Sequence, residues 1–196
     1  IAELTPTYAG ERRWRIEHAD LVDPADLARF GKFGVAASMQ PPRQTIGSGT
    51  AEARLGPARL AGAFAWNAIA AGGATLAFGS DAPTAIPDPF AGLAAAITRQ
   101  DADRQPFGGW QPQARVTREA ALAAYTTGGA WAAFAESRFG RLASGQRADF
   151  LIVDRDPLLA SQRSFSKNPD FRNVIQGYNA TTGAAVYGTD QRIQWG

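Results

Sequence analysis

The sequence predicts an α/β fold built on a parallel sheet, and three observations carry that prediction. Strand-like runs are followed by helical patterns three times in the first half of the chain, the alternation expected when parallel strands are joined by crossover helices. Helix-start and helix-stop residues stand between those runs. The length of 196 residues, 45% hydrophobic and 19% charged, is enough for a buried core.

Taken in order, the first strand is expected at Trp14–His18, W-R-I-E-H. Asp23 as N-cap and Pro24 at the first helical position then open a helix reaching Phe30. Gly34 releases the chain into a second strand, Val35–Gln40, and Pro41-Pro42 prevent its continuation as a central strand. The run T-I-G-S-G-T reads as a polar loop before a helix over Pro57–Ala71, in which Leu60, Phe64 and Ala68 recur at spacing four. Gly72-Gly73 stop that helix and the third strand is Thr75–Phe78. Two more helices are expected at Asp88–Gln100 and Thr117–Phe134, the second opened by Thr117 with Glu119 favoured by the helix dipole. Beyond Gly140 the pattern turns to β structure: a strand at Phe150–Val153, then a hairpin of Val174–Tyr178 and Ala184–Tyr187 about Thr181-Thr182-Gly183. A domain boundary near Phe139 divides the chain into an α/β part, residues 1–138, and a small β part, residues 139–196.

The formal charge is +2 and the pI about 9.3, with arginines scattered singly, so nucleic-acid binding is not expected. The cluster Arg12, Arg13, Arg15 around Trp14 reads as a solvated rim. With no cysteine there is neither a disulfide framework nor a thiolate zinc site. No run approaches the length of a membrane span, and Ile1–Tyr8 has neither the basic nor the apolar segment of a leader. A cytoplasmic protein without membrane contact is the expectation, although a chain without an initiator Met also reads as a portion of something longer.

Two residues draw attention for chemistry. His18, the sole histidine, ends the first strand, and Asp81 follows the third in L-A-F-G-S-D-A-P. In parallel α/β sheets and barrels the carboxyl edge of the strands is where catalytic side chains collect. Imidazole nitrogen and carboxylate oxygen can share a divalent cation, and a carboxylate there can take a proton from a water activated by the metal. Each residue also has an ordinary reading, His18 as a hydrogen-bonded structural residue and Asp81 as a turn former before Pro83. Glu17 and Asp20 flank His18 but alternate in facing or lie in the following loop. There is no G-x-G-x-x-G, no G-K-[ST] and no G-x-S-x-G, which disfavours phosphate cradles and the serine-elbow hydrolases.

The blocks R-I-E-H-A-D, A-A-S-M-Q-P, R-L-G-P-A-R, L-A-F-G-S-D-A-P, A-A-I-T-R-Q, A-L-A-A-Y-T and G-Q-R-A-D-F-L-I-V-D occur in the order of one family. From about Arg13 to Gly188 the chain resembles the C-terminal portion of the metal-dependent amidohydrolases, specifically amidohydrolase family 3, the branch that includes N-substituted formamide deformylases. The resemblance implies a (β/α)₈ TIM barrel, of which this chain holds strands 6–8 and their helices, plus C-terminal strands of a small composite β domain. His18 matches the metal-site histidine ending the sixth barrel strand. Asp81 matches the aspartate ending the eighth, a ligand and the base that activates the water. The family's His-x-His pair, its bridging lysine or acid and its fifth-strand histidine would all precede Ile1. Relatives commonly carry histidine after Met-Gln-Pro where this chain has Arg43, which makes Arg43 a candidate substrate contact, suited to a carboxylate-bearing substrate, or a rim residue.

The expected function is hydrolysis of a C–N bond in a small-molecule amide, formamide or cyclic amide, completed by an N-terminal remainder of the barrel. One or two divalent metal ions are implied, with zinc the first candidate, and a homo-oligomer is a further candidate assembly. The alternative is a non-catalytic scaffold or subunit half that pairs with another chain.

Overall fold

The computed structural model describes residues 1–153 and 156–159, together with the strands Gln176–Asn179 and Ala184–Tyr187. The expected parallel sheet is present. It comprises β1 (Arg15–Glu17), β2 (Ala36–Met39) and β3 (Leu76–Phe78) in the order β1-β2-β3. Arg15 pairs with Ala36, and Ala37 with Leu76, both parallel. The central strand is the buried one, with Ala36 and Ala37 fully inaccessible, whereas β1 is exposed along its length. Among the described residues β1 and β3 have a strand neighbour on one side only.

Between β1 and β2, Asp23 accepts from Ala25 N at 2.9 Å and Pro24 opens a short 3₁₀ turn, which passes into α1 (Leu27–Lys32). The next segment departs from expectation, because residues 41–55 form the longest helix among the described residues, α2 (Pro41–Leu55), where a polar loop was expected around Thr45–Thr50. Pro41 and Pro42 occupy its first turn, where a missing N–H costs nothing and a fixed φ is already helical. Its two interior glycines each cost about 1 kcal/mol against alanine, and packing offsets this. Gln44 and Ala51 are buried, the Phe64 ring lies against Gly47, and Trp110 Nε1 donates to Glu52 Oε1 at 2.6 Å.

The helix expected over Pro57–Ala71 is broken in two, a 3₁₀ turn at Pro57–Gly62 and α3 (Trp66–Ala71). The break is imposed from outside the segment. Val22 N donates to Gly62 O at 3.0 Å and Phe64 N donates to Asp20 O at 2.7 Å, so the loop after β1 takes the backbone groups that a continuous helix would use. A side chain at Gly62 would collide with Val22 O.

After β3, the helix expected over Asp88–Gln100 is present as α4 (Pro89–Thr98), which Asp88 caps by accepting from Phe90 N at 2.9 Å. The stretch expected as one helix over Thr117–Phe134 is instead α5 (Arg118–Ala123), a π-helical turn (Ala124–Gly128) and α6 (Gly129–Ala132). The wider turn presses Gly128 against Leu76 O and sets Tyr125 edge-on to Phe78, 5.7 Å between ring centroids. Trp66 packs on the same Phe78 ring at 5.9 Å, so the larger core cluster gathers on the Leu76 and Phe78 face of β3, with a small one of Ala36, Ala77 and Ala132 on the other.

Trp14 and Arg15 are exposed as expected, but Arg13 is not the solvated rim residue expected of it. Arg13 donates to Trp131 O at 2.7 Å and to Glu136 at 2.8 Å, with its guanidinium 4.7 Å from the Trp131 ring and 4.5 Å from that of Phe134. It clasps the N-terminal segment to the end of α6. Arg12 lies over the Tyr8 and Trp14 rings and donates to Leu4 O and Tyr8 O.

A second sheet, antiparallel, is formed by β4 (Leu151–Ile152), β5 (Gln176–Asn179) and β6 (Ala184–Tyr187) in that order. β5 overlaps the strand expected at Val174–Tyr178, whose first two residues, like the expected turn Thr181-Thr182-Gly183, lie outside the described residues. No helix among the described residues is long and apolar enough to cross a membrane.

Candidate metal and catalytic site

His18 follows the last residue of β1 and Asp81 stands three residues past the end of β3, at the same carboxyl edge of one parallel sheet. β2 lies between them, so a strand spacing of about 4.8 Å sets β1 and β3 about 10 Å apart. Both residues have left-handed backbones, φ 68° at His18 and 54° at Asp81, and Ala19 joins them at 44°. Histidine and aspartate tolerate that region better than most residues; alanine does so at a cost of about 1–2 kcal/mol.

The geometry at His18 is set by backbone bonds. His18 N donates to Ser38 O at 2.7 Å, extending the ladder by one step, and Ala19 N donates to Glu17 O at 2.9 Å. The second bond closes a three-residue turn centred on His18, and a positive φ at that centre is the rare, strained form of the γ-turn. Strain of this kind persists only where neighbouring structure holds it. Here the holders are β2, the Gly62–Phe64 backbone and α2, whose Arg43 donates from Nε at 3.0 Å and Nη2 at 2.7 Å to Asp20 Oδ2. The half-buried imidazole then meets the side chain of Gln40, with Nδ1 2.8 Å from Oε1.

Asp81 is exposed, and among the described residues no hydrogen bond or ion pair to its carboxylate is found; its main-chain carbonyl accepts from Thr84 N at 2.8 Å. The other acids near His18 are engaged. Glu17 pairs with Arg15 at 3.0 Å and Asp20 with Arg43. Arg43, the candidate substrate contact, therefore has two of its donors committed to the loop that carries His18, with Nη1 remaining. Gln40 is the member that residue-by-residue reading passed over, although it ends the strand beside β1 and precedes the proline pair.

The donor set fits one part of a metal site. The Gln40 contact leaves Nε2 of His18 as the available ring nitrogen, and the Asp81 carboxylate is uncommitted. Among the described residues no group of three or more His, Cys, Asp or Glu side chains comes together in a way that could hold a metal ion.

Comparison with known proteins gives the setting. The chain is 33% identical over 159 residues to the protein LONG AFTER FAR-RED 3 of Arabidopsis thaliana, covering 81% of this chain and 26% of the relative. It is 30% identical over 166 residues to YtcJ of Bacillus subtilis (strain 168), covering 85% of this chain and 31% of the relative. This chain thus spans less than a third of the curated relatives it matches. Among solved structures it is similar to an uncharacterized metal-dependent hydrolase from Pyrococcus furiosus, with TM-score 0.64, 34% identity, and coverage of 76% of this chain and 29% of the other. It is also similar to an uncharacterized metal-dependent hydrolase from Pyrococcus horikoshii OT3, with TM-score 0.70, 28% identity, and coverage of 82% and 32%. A zinc-bound adenosine deaminase from Xanthomonas campestris shares the fold at 20% identity and TM-score 0.59, covering 94% of this chain and 42% of its own. The model of the amidohydrolase family, Amidohydro_3, matches residues 1–164, and the chain belongs to that family.

Proposed function

We propose that this chain supplies part of the active site of a metal-dependent hydrolase that cleaves a C–N bond in an amide, formamide or cyclic amide. The observation that carries the reading is that His18 and Asp81 both follow the carboxyl ends of strands in one parallel sheet, in a chain of the amidohydrolase family. The three strands correspond in this reading to strands 6–8 of a TIM barrel, with residues 139–196 in a small composite β domain. Two observations support incompleteness: β1 is exposed along its length, with Ile16 45% accessible, and the chain matches less than a third of its curated relatives. A sheet edge of that kind is normally covered by a further strand. The partner proposed is the N-terminal remainder of the same barrel.

A divalent cation, zinc by first choice and one or two in number, would be held by His18 Nε2 and Asp81 together with ligands from that remainder. When bound it supplies Lewis acidity and lowers the pKa of a coordinated water to roughly 7. Asp81 then accepts a proton from the attacking water and returns it to the departing nitrogen, as microscopic reversibility favours. The first turn of α2 after Gln40 and the loop after β3 that carries Asp81 shape the mouth. Arg43 orients the His18 loop through Asp20 and offers Nη1 to a carboxylate-bearing substrate.

The test is Asp81→Asn in the whole protein, assayed against a panel of N-formyl, N-acyl and cyclic amides. Turnover should fall by about 10²–10⁴ and metal content should drop with the loss of the anionic donor, while circular dichroism stays near wild type, since the carboxylate is exposed. Hydrolysis within threefold of wild type would refute the assignment. A wild-type protein that binds no metal and hydrolyses none of the panel would favour the scaffold reading.

A further inference from the structure

We propose that Gln40 is a positioning residue for His18: its amide oxygen accepts the Nδ1 proton, which dictates the tautomer of the ring and leaves Nε2 with the lone pair. The inference deepens the metallohydrolase reading and rests on it for its consequence, though not for the contact itself.

Gln40 is well placed to hold a ring still. It is 6% exposed and follows the end of β2, the strand beside β1. Its main chain is fixed on both sides, because Met39 is in the ladder and Pro41 begins α2, while its carbonyl accepts from Arg43 N at 2.9 Å. From that base Oε1 lies 2.8 Å from His18 Nδ1. The imidazole is thus held at two points, at its backbone by the strained turn and the Ser38 bond, and at its ring by Gln40.

The chemical consequence follows from the two nitrogens being distinct. A neutral imidazole carries one ring proton, and the partner of one nitrogen decides the state of the other. An amide oxygen facing Nδ1 requires the proton there, so Nε2 is an acceptor able to bind a cation. The opposite orientation of the amide would present N–H to Nδ1, force the proton onto Nε2 and remove the ring from any ligand set. These two arrangements make opposite predictions. An amide in this role differs from the carboxylate often found behind a metal-binding histidine. It orients the ring without adding negative charge, so Asp81 provides the anionic donor at this edge.

The measurement is the ¹⁵N–¹H spectrum of the imidazoles in the neutral form, with His18 assigned by the signal lost in His18→Asn. Wild type should show the Nδ1-protonated pattern. Gln40→Leu should shift His18 toward the Nε2-protonated form and weaken zinc, measured by competition with a chelating indicator, about 10- to 100-fold. Gln40→Glu, which keeps an acceptor oxygen, should restore both the pattern and most of the affinity. An Nε2-protonated His18 in wild type overturns the proposal, as does a Gln40→Leu variant with unchanged tautomer and affinity. If Gln40→Leu does not fold, the wild-type tautomer decides alone. A wild type with the Nδ1 proton in place whose His18 signals ignore zinc supports the Gln40 contact and retires the metallohydrolase reading, so the two failures are distinguishable.

Discussion

Replacing Arg99 by methionine should destabilise the protein, and the structure allows the size of the effect to be worked through. Arg99 is fully buried at the left-handed C-terminal cap of α4. Its Nε donates to Trp110 O at 2.9 Å and its Nη1 to Phe64 O at 2.8 Å, while the guanidinium lies 4.3 Å from the Trp66 ring and 5.2 Å from that of Trp110. Burial, helped by neighbouring Arg115, pushes its pKa down to about 9, which still leaves a cation at neutral pH. Two hydrogen bonds from a charged donor contribute about 1.5–3 kcal/mol each, and stacking on two indoles about 1–2 more. Against them, Nη2 is buried without a partner and no ion pair is seen to Arg99 among the described residues. Methionine therefore regains several kcal/mol of desolvation. The balance is a loss of about 2–4 kcal/mol. With a urea slope of about 2.5 kcal/mol per molar, the midpoint should fall by roughly 1 M. Equilibrium unfolding followed by tryptophan fluorescence reads it directly. A methionine variant as stable as wild type would show that the uncompensated charge cancels both hydrogen bonds and the stacking. The effect should reach the site, because Phe64 binds Arg99 through its carbonyl and Asp20, two residues past His18, through its N–H.

Two further outcomes are expected. Hydrogen bonding to Arg13 holds the Glu136 carboxyl down to about 2 from 4.5. A carboxyl depressed in the folded state adds stability above its unfolded value and loses it as pH falls toward the folded one. Between about pH 4.5 and pH 2, wild type should therefore lose thermal stability more steeply than Glu136→Gln; parallel curves would remove the ion pair from the acid response. Arg43→Met should cost about 1 kcal/mol or less, as a partly exposed ion pair does. Under the proposed amide-hydrolase reading, an Arg43 that acts only by holding the His18 loop should, when replaced, lower kcat alike for neutral and anionic amides. A rise in KM confined to carboxylate-bearing substrates would instead assign it a direct contact.

How much could be read in advance depended on whether the deciding interactions were local. The three strands and the caps at Asp23 and Thr117 were legible because a strand's apolar run and a cap's oxygen are properties of a few consecutive residues. Candidate positions for His18 and Asp81 were legible for the same reason, since each follows a recognisable strand end. The glycines and prolines of α2 pointed locally to a loop, and the periodicity of residues 57–71 pointed to one helix. Both were overruled by groups distant in sequence: Trp110 and Phe64 against α2, Val22 and Asp20 against Gly62 and Phe64. Arg13 likewise looked solvated until its partners at Trp131, Phe134 and Glu136 were seen.

By itself the sequence determined the fold class, the family blocks and the two residues worth watching, because those are written in local pattern and residue type. Only the tertiary structure decided where the helices break, which arginines are committed, and that Gln40 faces the imidazole. Those outcomes depend on which main-chain and side-chain groups satisfy one another across as many as 123 positions of chain, well beyond the reach of a local pattern.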